Sequence, residues 1–173
     1  MSAAPHVLVT EREYLTNPVY EHAEFVDGVI VERNVGKKKH AEIQGLCFAA
    51  IRAALPKGGE FYVGVELHCR LEVRGRAGYR IPNVAATQND VLVGGPTLAV
   101  EVQSPGDSLA QAIRKAQDYF ANGTRMVWIV LPDEESVMVL EPNQTPAAYT
   151  REQSIAVGVF EAALEIAVDA IFP

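Results

Sequence analysis

Asn83, Glu101, Gln103 and Lys115 are the residues of this 173-residue chain whose types and spacing could do chemistry together. Asn83 follows a proline in Arg80-Ile81-Pro82-Asn83-Val84, Glu101 interrupts the apolar run Leu98-Ala99-Val100-Glu101-Val102, and Gln103 comes two residues later. A carboxylate inside such a run is costly to bury unless a cation or hydrogen-bond donors meet it. Glu101 therefore needs a partner, and three suit the pattern: a metal ion, Lys115 from the following helix, or solvent at the strand's end. Side chains alternate along a strand, so one that ends at Ser104-Pro105 presents Glu101 and Gln103 on the same face, where both can line one cleft. Each residue also has a plainer reading. Asn83 could bond its own backbone at a strand edge. Lys115, beside Gln111 and Asp118, could lie on a solvated helix face. His40 suits a helix-start hydrogen-bond donor, and Glu66 and His68 suit the wet face of a strand.

The elements that must position these groups follow from periodicity. Thr10-Glu11-Arg12-Glu13 has the spacing of a capping box, so a short helix through Leu15 is expected. Glu24-Phe25-Val26 and Val29-Ile30-Val31 flank Asp27-Gly28, a pair that tolerates positive φ and predicts a tight hairpin. Ile43, Leu46, Cys47, Ala50, Ile51, Ala54 and Leu55 recur at three- and four-residue steps and predict a helix of about four turns, ended by Pro56 and Gly58-Gly59. The period then becomes two, with Phe61, Val63, Val65, Leu67, Cys69, Leu71 and Val73 on one face of a long strand. A turn over 74–78 leads to a second strand from Arg80 to Ala86, and Thr97 to Gln103 forms a third, apolar enough to be buried on both faces. Ser108 with Gln111 offers a second capping box. Its helix should turn Leu109, Ala112, Ile113, Ala116 and Phe120 inward and stop at Asn122-Gly123. Met126 to Leu131 predicts a strand parallel to the third, reached by a helical crossover. Val137 and Val139 predict a further strand, and Leu164, Ile166 and Val168 a last one.

Composition sets the outer bounds. An apolar content of 49% over this length suits one domain spanning residues 1–173. No apolar stretch approaches the eighteen residues of a membrane span, and Met1 to Tyr14 lacks the basic start and apolar middle of a secretion signal. A cytoplasmic protein without membrane partners is expected. Cys47 and Cys69 each fall on the apolar face of an element and should be core thiols. The net charge of −7 argues against nucleic acid, yet eight acidic residues against Arg151 alone lie beyond position 131. The first 131 residues are balanced, with local basic clusters at Arg33 and Lys37 to Lys39 and at Arg70, Arg74, Arg76 and Arg80. No Gly-rich phosphate loop, nucleophilic serine motif or zinc-ligand spacing is present.

With these motifs in place the chain resembles the restriction-endonuclease-like, PD-(D/E)XK, superfamily, whose signature is a Pro-Asp dyad on one strand and a Glu-x-Lys triplet on the next. More closely it resembles the Uma-type endonuclease family. The resemblance rests on Glu24 to Gly28, His40, Arg80 to Val84, Val100 to Pro105, Lys115, Tyr119 and Val127 to Asp133. It implies an α/β (α+β) fold: a helix-strand-strand-strand-helix-strand mixed sheet flanked by helices, with an N-terminal hairpin. It also implies an endonuclease that hydrolyses nucleic-acid phosphodiesters, DNA rather than RNA, as a homodimer using Mg²⁺ or Mn²⁺. By position, Glu101 is the metal-binding glutamate, Gln103 occupies the triplet's lysine position, and Lys115 supplies the lysine from the helix. Asn83 stands where a metal-binding aspartate belongs. That exchange costs the site a negative charge, so metal should be held weakly unless Glu24, Glu42 or Glu66 joins in. The alternative is a catalytically inactive nuclease-fold domain that binds nucleic acid or protein.

Overall fold

The carboxylate in the apolar run around Glu101 is accommodated by a sheet covered on both sides. The computed structural model describes residues 8–34, 36–58, 60–88, 93–160 and 164–173. In chain order the elements are α1 (Glu11–Thr16), β1 (Glu24–Val26), β2 (Val29–Val31), α2 (Lys38–Ala54), β3 (Tyr62–Val65), β4 (Cys69–Val73), β5 (Arg76–Arg80), β6 (Val84–Thr87), β7 (Leu98–Val102), α3 (Leu109–Ala121), β8 (Met126–Leu131), β9 (Ser136–Leu140), β10 (Ala147–Thr150), β11 (Ser154–Val157) and β12 (Leu164–Ala167). The main sheet has six strands in the order β10-β9-β8-β7-β6-β3. A four-stranded sheet runs β2-β1-β5-β4, and β11 pairs with β12. The crossover from β7 through α3 to β8 is parallel, with Glu101 opposite Ile129, and the other neighbours in the main sheet are antiparallel.

The local expectations have local causes. Thr10 and Ser108 both make full capping boxes, accepting from the amides of Glu13 and Gln111. Asp27 and Gly28 have φ of 53° and 82°, which joins β1 to β2 in a two-residue turn. α2 ends at Ala54, just ahead of Pro56, and Gly59 of the expected stop lies outside the described residues. Cys47 and Cys69 are free and buried, and burial pushes both thiols up to about 12.

Two strands expected to be continuous are each broken. The alternation from Phe61 to Val73 persists in sequence, but Glu66 adopts a φ of 52° and divides the run into β3 and β4. The returning strand breaks at Ile81-Pro82-Asn83 into β5 and β6. The breaks face each other, since the Glu66 N–H donates to the Asn83 carbonyl at 3.2 Å. One long hairpin therefore begins in the main sheet, crosses into the four-stranded sheet and returns. Proline favours this position because it has no N–H to contribute to a ladder. β10 and β11 leave little trace in the sequence: in β10 Ala147, Ala148 and Thr150 are exposed at the sheet's edge and Tyr149 alone is partly buried, and Ser154 to Val157 carries only two buried positions to betray a strand.

The core separates by face. Leu98, Val100 and Val102 of β7 pack with Ile43, Cys47 and Ile51 of α2 and with Trp128. Ala99 faces the other way, with Ala116 and Tyr119 of α3, Val127, Ile129 and Cys69. Alternation along β7 places Glu101 on that second side. Tyr119, absent from the expected inward set, is fully buried, whereas Phe120 is only partly so.

Candidate active site

Where the two sheets part, a cleft of about 440 Å³ opens, lined by Asn83, Glu101, Gln103 and Lys115. Glu24, His40, Arg80 and Asp118 line it as well. All four residues singled out in the sequence are thus brought to one place, on elements that meet only in the fold. Asn83 comes from the break between β5 and β6, Glu101 and Gln103 from the end of β7, and Lys115 from the second turn of α3.

Lys115 is the partner that Glu101 requires. Its Nζ lies 2.7 Å from Glu101 Oε2 and 2.9 Å from Glu24 Oε1. The Tyr119 hydroxyl donates to Glu101 Oε1 at 2.7 Å. Glu24 receives the Ile81 N–H at 3.0 Å on Oε1 and the Arg80 guanidinium at 2.8 Å on Oε2. Arg80 also donates to Asp118 through Nε, at 3.0 Å, and through a second, shorter contact. Each of the four carboxylate oxygens of Glu24 and Glu101 has a donor.

The electrostatics follow from this arrangement. Burial pushes the Glu24 carboxyl up, but the charges of Lys115 and Arg80 and the Ile81 N–H outweigh it and bring the group down to about 2. For Lys115, burial disfavours the ammonium while Glu101 and Glu24 favour it more strongly, so its pKa is raised. Tyr119 is held well above the usual tyrosine range by burial and by Glu101, and stays a neutral donor. Arg80 is raised by Glu24 and Asp118 against the opposing effect of burial.

Asn83 and Gln103 have other employment. The Asn83 Oδ1 accepts the Val102 N–H at 2.8 Å. That donor fixes the orientation of the amide, because a backbone N–H needs an acceptor. Asn83 Nδ2 then points towards Gln44 Oε1 and His40 Nε2, each 3.4 Å away. His40 Nε2 lies 3.0 Å from the Val102 carbonyl, so it carries the proton and donates there. Burial lowers the His40 pKa, consistent with a neutral ring. Gln103 donates to the Asp107 carbonyl at 3.1 Å and ties the loop that enters α3. Of the additional carboxylates considered, Glu24 lines the cleft, Glu42 lies on an exposed position of α2, and Glu66 pairs with Arg33 at 3.5 Å.

The donor set does not fit a tightly held divalent cation. The amide oxygen of Asn83 is committed to Val102, and an ammonium lies between the two carboxylates. Among the described residues, no group of three or more His, Cys, Asp or Glu side chains is placed to hold a metal ion. Sequence reasoning could name Glu24 only as an option, since a three-residue strand does not reveal which face it turns inward. Asp118 carried no signal beyond its place on α3.

The basic clusters disperse around the molecule. Arg80 enters the cleft, while Arg70 pairs with Glu11 at 2.9 Å and Arg76 with Asp27 at 3.3 Å. Arg33, Arg74 and Arg114 come from three separate segments to line the cleft with Lys115 and Arg80. Among the described residues, no helix is long and apolar enough to cross a membrane.

Comparison with known proteins agrees with this architecture. A solved structure from Anabaena variabilis ATCC 29413, described as "a putative nuclease belonging to DUF820", is similar with a TM-score of 0.81 and 21% identity. The likeness covers 95% of this chain and 97% of that one, and at this identity it shows the fold. No curated protein matches the chain. The family model Uma2, described as "Putative restriction endonuclease", matches residues 12–169, and with that span covered the chain belongs to the Uma2 family of restriction-endonuclease-like proteins.

Proposed function

We propose that this protein engages nucleic-acid phosphodiesters in the cleft as a nuclease whose hydrolytic step is curtailed at Asn83. The observation that carries the reading is the convergence of Asn83, Glu101 and Lys115 on one cleft in a chain of a nuclease family. The cleft's lining is balanced in charge, and Arg33 and Arg74, paired with Glu66 and Asp27, together with Arg114 are the cations this reading offers to phosphates. DNA rather than RNA, a homodimer and dependence on Mg²⁺ or Mn²⁺ belong to the same reading and rest on the family alone.

Hydrolysis is slow in this reading because every carboxylate oxygen of Glu24 and Glu101 already has a donor. A general base must reach the proton it abstracts, and Glu24 and Glu101 already accept from Lys115, Arg80, Tyr119 and Ile81. Asn83→Asp tests it. An aspartate keeps one oxygen for the Val102 N–H and adds a second, charged oxygen where Nδ2 now lies. We expect cleavage of DNA in Mg²⁺ or Mn²⁺ to rise at least about a hundredfold, the scale at which a metal stabilises transition-state charge. Glu101→Ala or Lys115→Ala on that background should remove the gain. An unchanged rate in the Asn83→Asp variant, with metal binding confirmed by calorimetry, would favour the second reading.

That second reading is a catalytically silent domain that binds nucleic acid or protein. It is favoured by the internal pairing of the central charges, which resembles a structural ion-pair network as much as a poised catalytic centre.

A further inference from the structure

We infer that the Lys115 ammonium is the resident cation of the Glu24–Glu101 pair, occupying the place that a divalent ion bridging these carboxylates would need. The inference stands on the geometry of the cleft, whether or not the cleft cleaves anything. Nζ is 2.9 Å from Glu24 and 2.7 Å from Glu101, on side chains exposed by only 3% and 10%. A Mg²⁺ ion bound to the same two oxygens would sit about 2.0–2.1 Å from each, which is inside the volume now held by the ammonium. Both cannot be accommodated, and a dication that close to an ammonium would also be repelled.

The remaining donors fix the pair in a shape that favours this occupant. Tyr119 holds one Glu101 oxygen, while Ile81 N–H and Arg80 hold Glu24 from the opposite side. Lys115 bridges the Glu101 oxygen that Tyr119 leaves open and Glu24 Oε1, which also takes the Ile81 N–H. Lys115 cannot swing away cheaply, because its departure leaves two buried carboxylates with a deficit of positive charge. The arrangement thus excludes a divalent ion from the place between Glu24 and Glu101 through a residue on α3. An ion held by an aspartate at position 83 together with Glu101 would need a different place, which is what the Asn83→Asp test reads. Removing the ammonium while keeping the length of the side chain should uncover a site for a divalent ion.

The test is Mn²⁺ titration of the whole chain and of Lys115→Met, followed by calorimetry and by thermal unfolding. The unaltered chain should neither bind Mn²⁺ at submillimolar concentration nor change its unfolding midpoint. Lys115→Met should be less stable without metal and should gain Mn²⁺ binding. Its midpoint should rise by roughly 5–10 °C at a hundredfold excess over Kd. Adding Glu24→Gln to Lys115→Met should abolish that response. Micromolar binding by the unaltered chain would overturn the inference, and so would a folded Lys115→Met variant indifferent to Mn²⁺. If Lys115→Met is unfolded in buffer, Mn²⁺ should restore its far-ultraviolet circular dichroism, and failure to do so would equally overturn it. Since no readout involves cleavage, a negative result here leaves the nuclease reading to its own test.

Discussion

The two sides of β7 solve opposite problems with the same five residues. Towards α2, Leu98, Val100 and Val102 join an all-apolar cluster with Ile43, Ile51 and Trp128, held by close packing and by removal of surface from water. Towards α3, Ala99 gives way to Glu101, and the buried space beyond it is organised by charges: Lys115, Glu24, Arg80 and Asp118. The first side tolerates apolar residues of suitable volume. The second demands that every member be present, since a buried charge without its partner costs more than the pair contributes.

Two substitutions should show this difference at its largest. Trp128→Ala on the α2 side should cost about 3–5 kcal/mol by opening a cavity. Glu24→Ala on the α3 side should cost a similar amount, about 3–5 kcal/mol, by leaving Arg80 and Lys115 buried with too little negative charge. Denaturant unfolding at neutral pH measures both. A loss below about 1 kcal/mol for Glu24→Ala would mean that water or Asp118 compensates, and the contrast between the sides would collapse.

Acid should then separate the two. Glu24 is held at about 2 in the folded chain against 4.5 for an ordinary glutamate, so it binds fewer protons folded than unfolded. Its contribution is fully present above the unfolded value and is lost as pH falls from about 4.5 towards 2. The penalty of Glu24→Ala should therefore shrink across that window, while the penalty of Trp128→Ala stays nearly constant. Unfolding curves at stepped pH decide between them, and parallel behaviour would show that Glu24 is not held in its charged form.

A smaller effect is expected from Tyr119→Phe, which removes one hydrogen bond to a charged acceptor and keeps the ring. It should cost about 1.5–3 kcal/mol, read from the same denaturant curves. The smallest response concerns the thiols: Cys47 and Cys69, both pushed up to about 12, should resist thiol reagents until the chain unfolds. Rapid labelling of Cys69 in the native state would reveal opening between β4 and α3.

Much of this contrast was legible in the residues themselves. The capping boxes at Thr10 and Ser108, the Asp27-Gly28 turn and the parallel crossover all follow from short-range spacing, because each is decided within a few residues. The gathering of Asn83, Glu101, Gln103 and Lys115 was legible through motif resemblance joined to strand alternation. The choice of Lys115 among three partners for Glu101 was not, since it depends on where α3 lies over the sheet. The break at Glu66 was hidden because apolar residues keep their period of two straight through it, although the strand changes sheet there. Glu24 was obscured for a related reason. Its three-residue strand reaches the cleft only because the hairpin carrying β5 leaves the main sheet to pair with it.

The joint in that hairpin bears on how such a protein can change over generations. Residue 83 binds three segments at once, its carbonyl taking the Glu66 N–H and its side-chain oxygen the Val102 N–H. Aspartate and asparagine present the same oxygen to Val102, so this tie between segments survives either residue. A single-base change in one codon can then exchange an acid for an amide while keeping this tie. On the reading proposed above, the chemistry of the centre can change at this position while the tie between its segments remains.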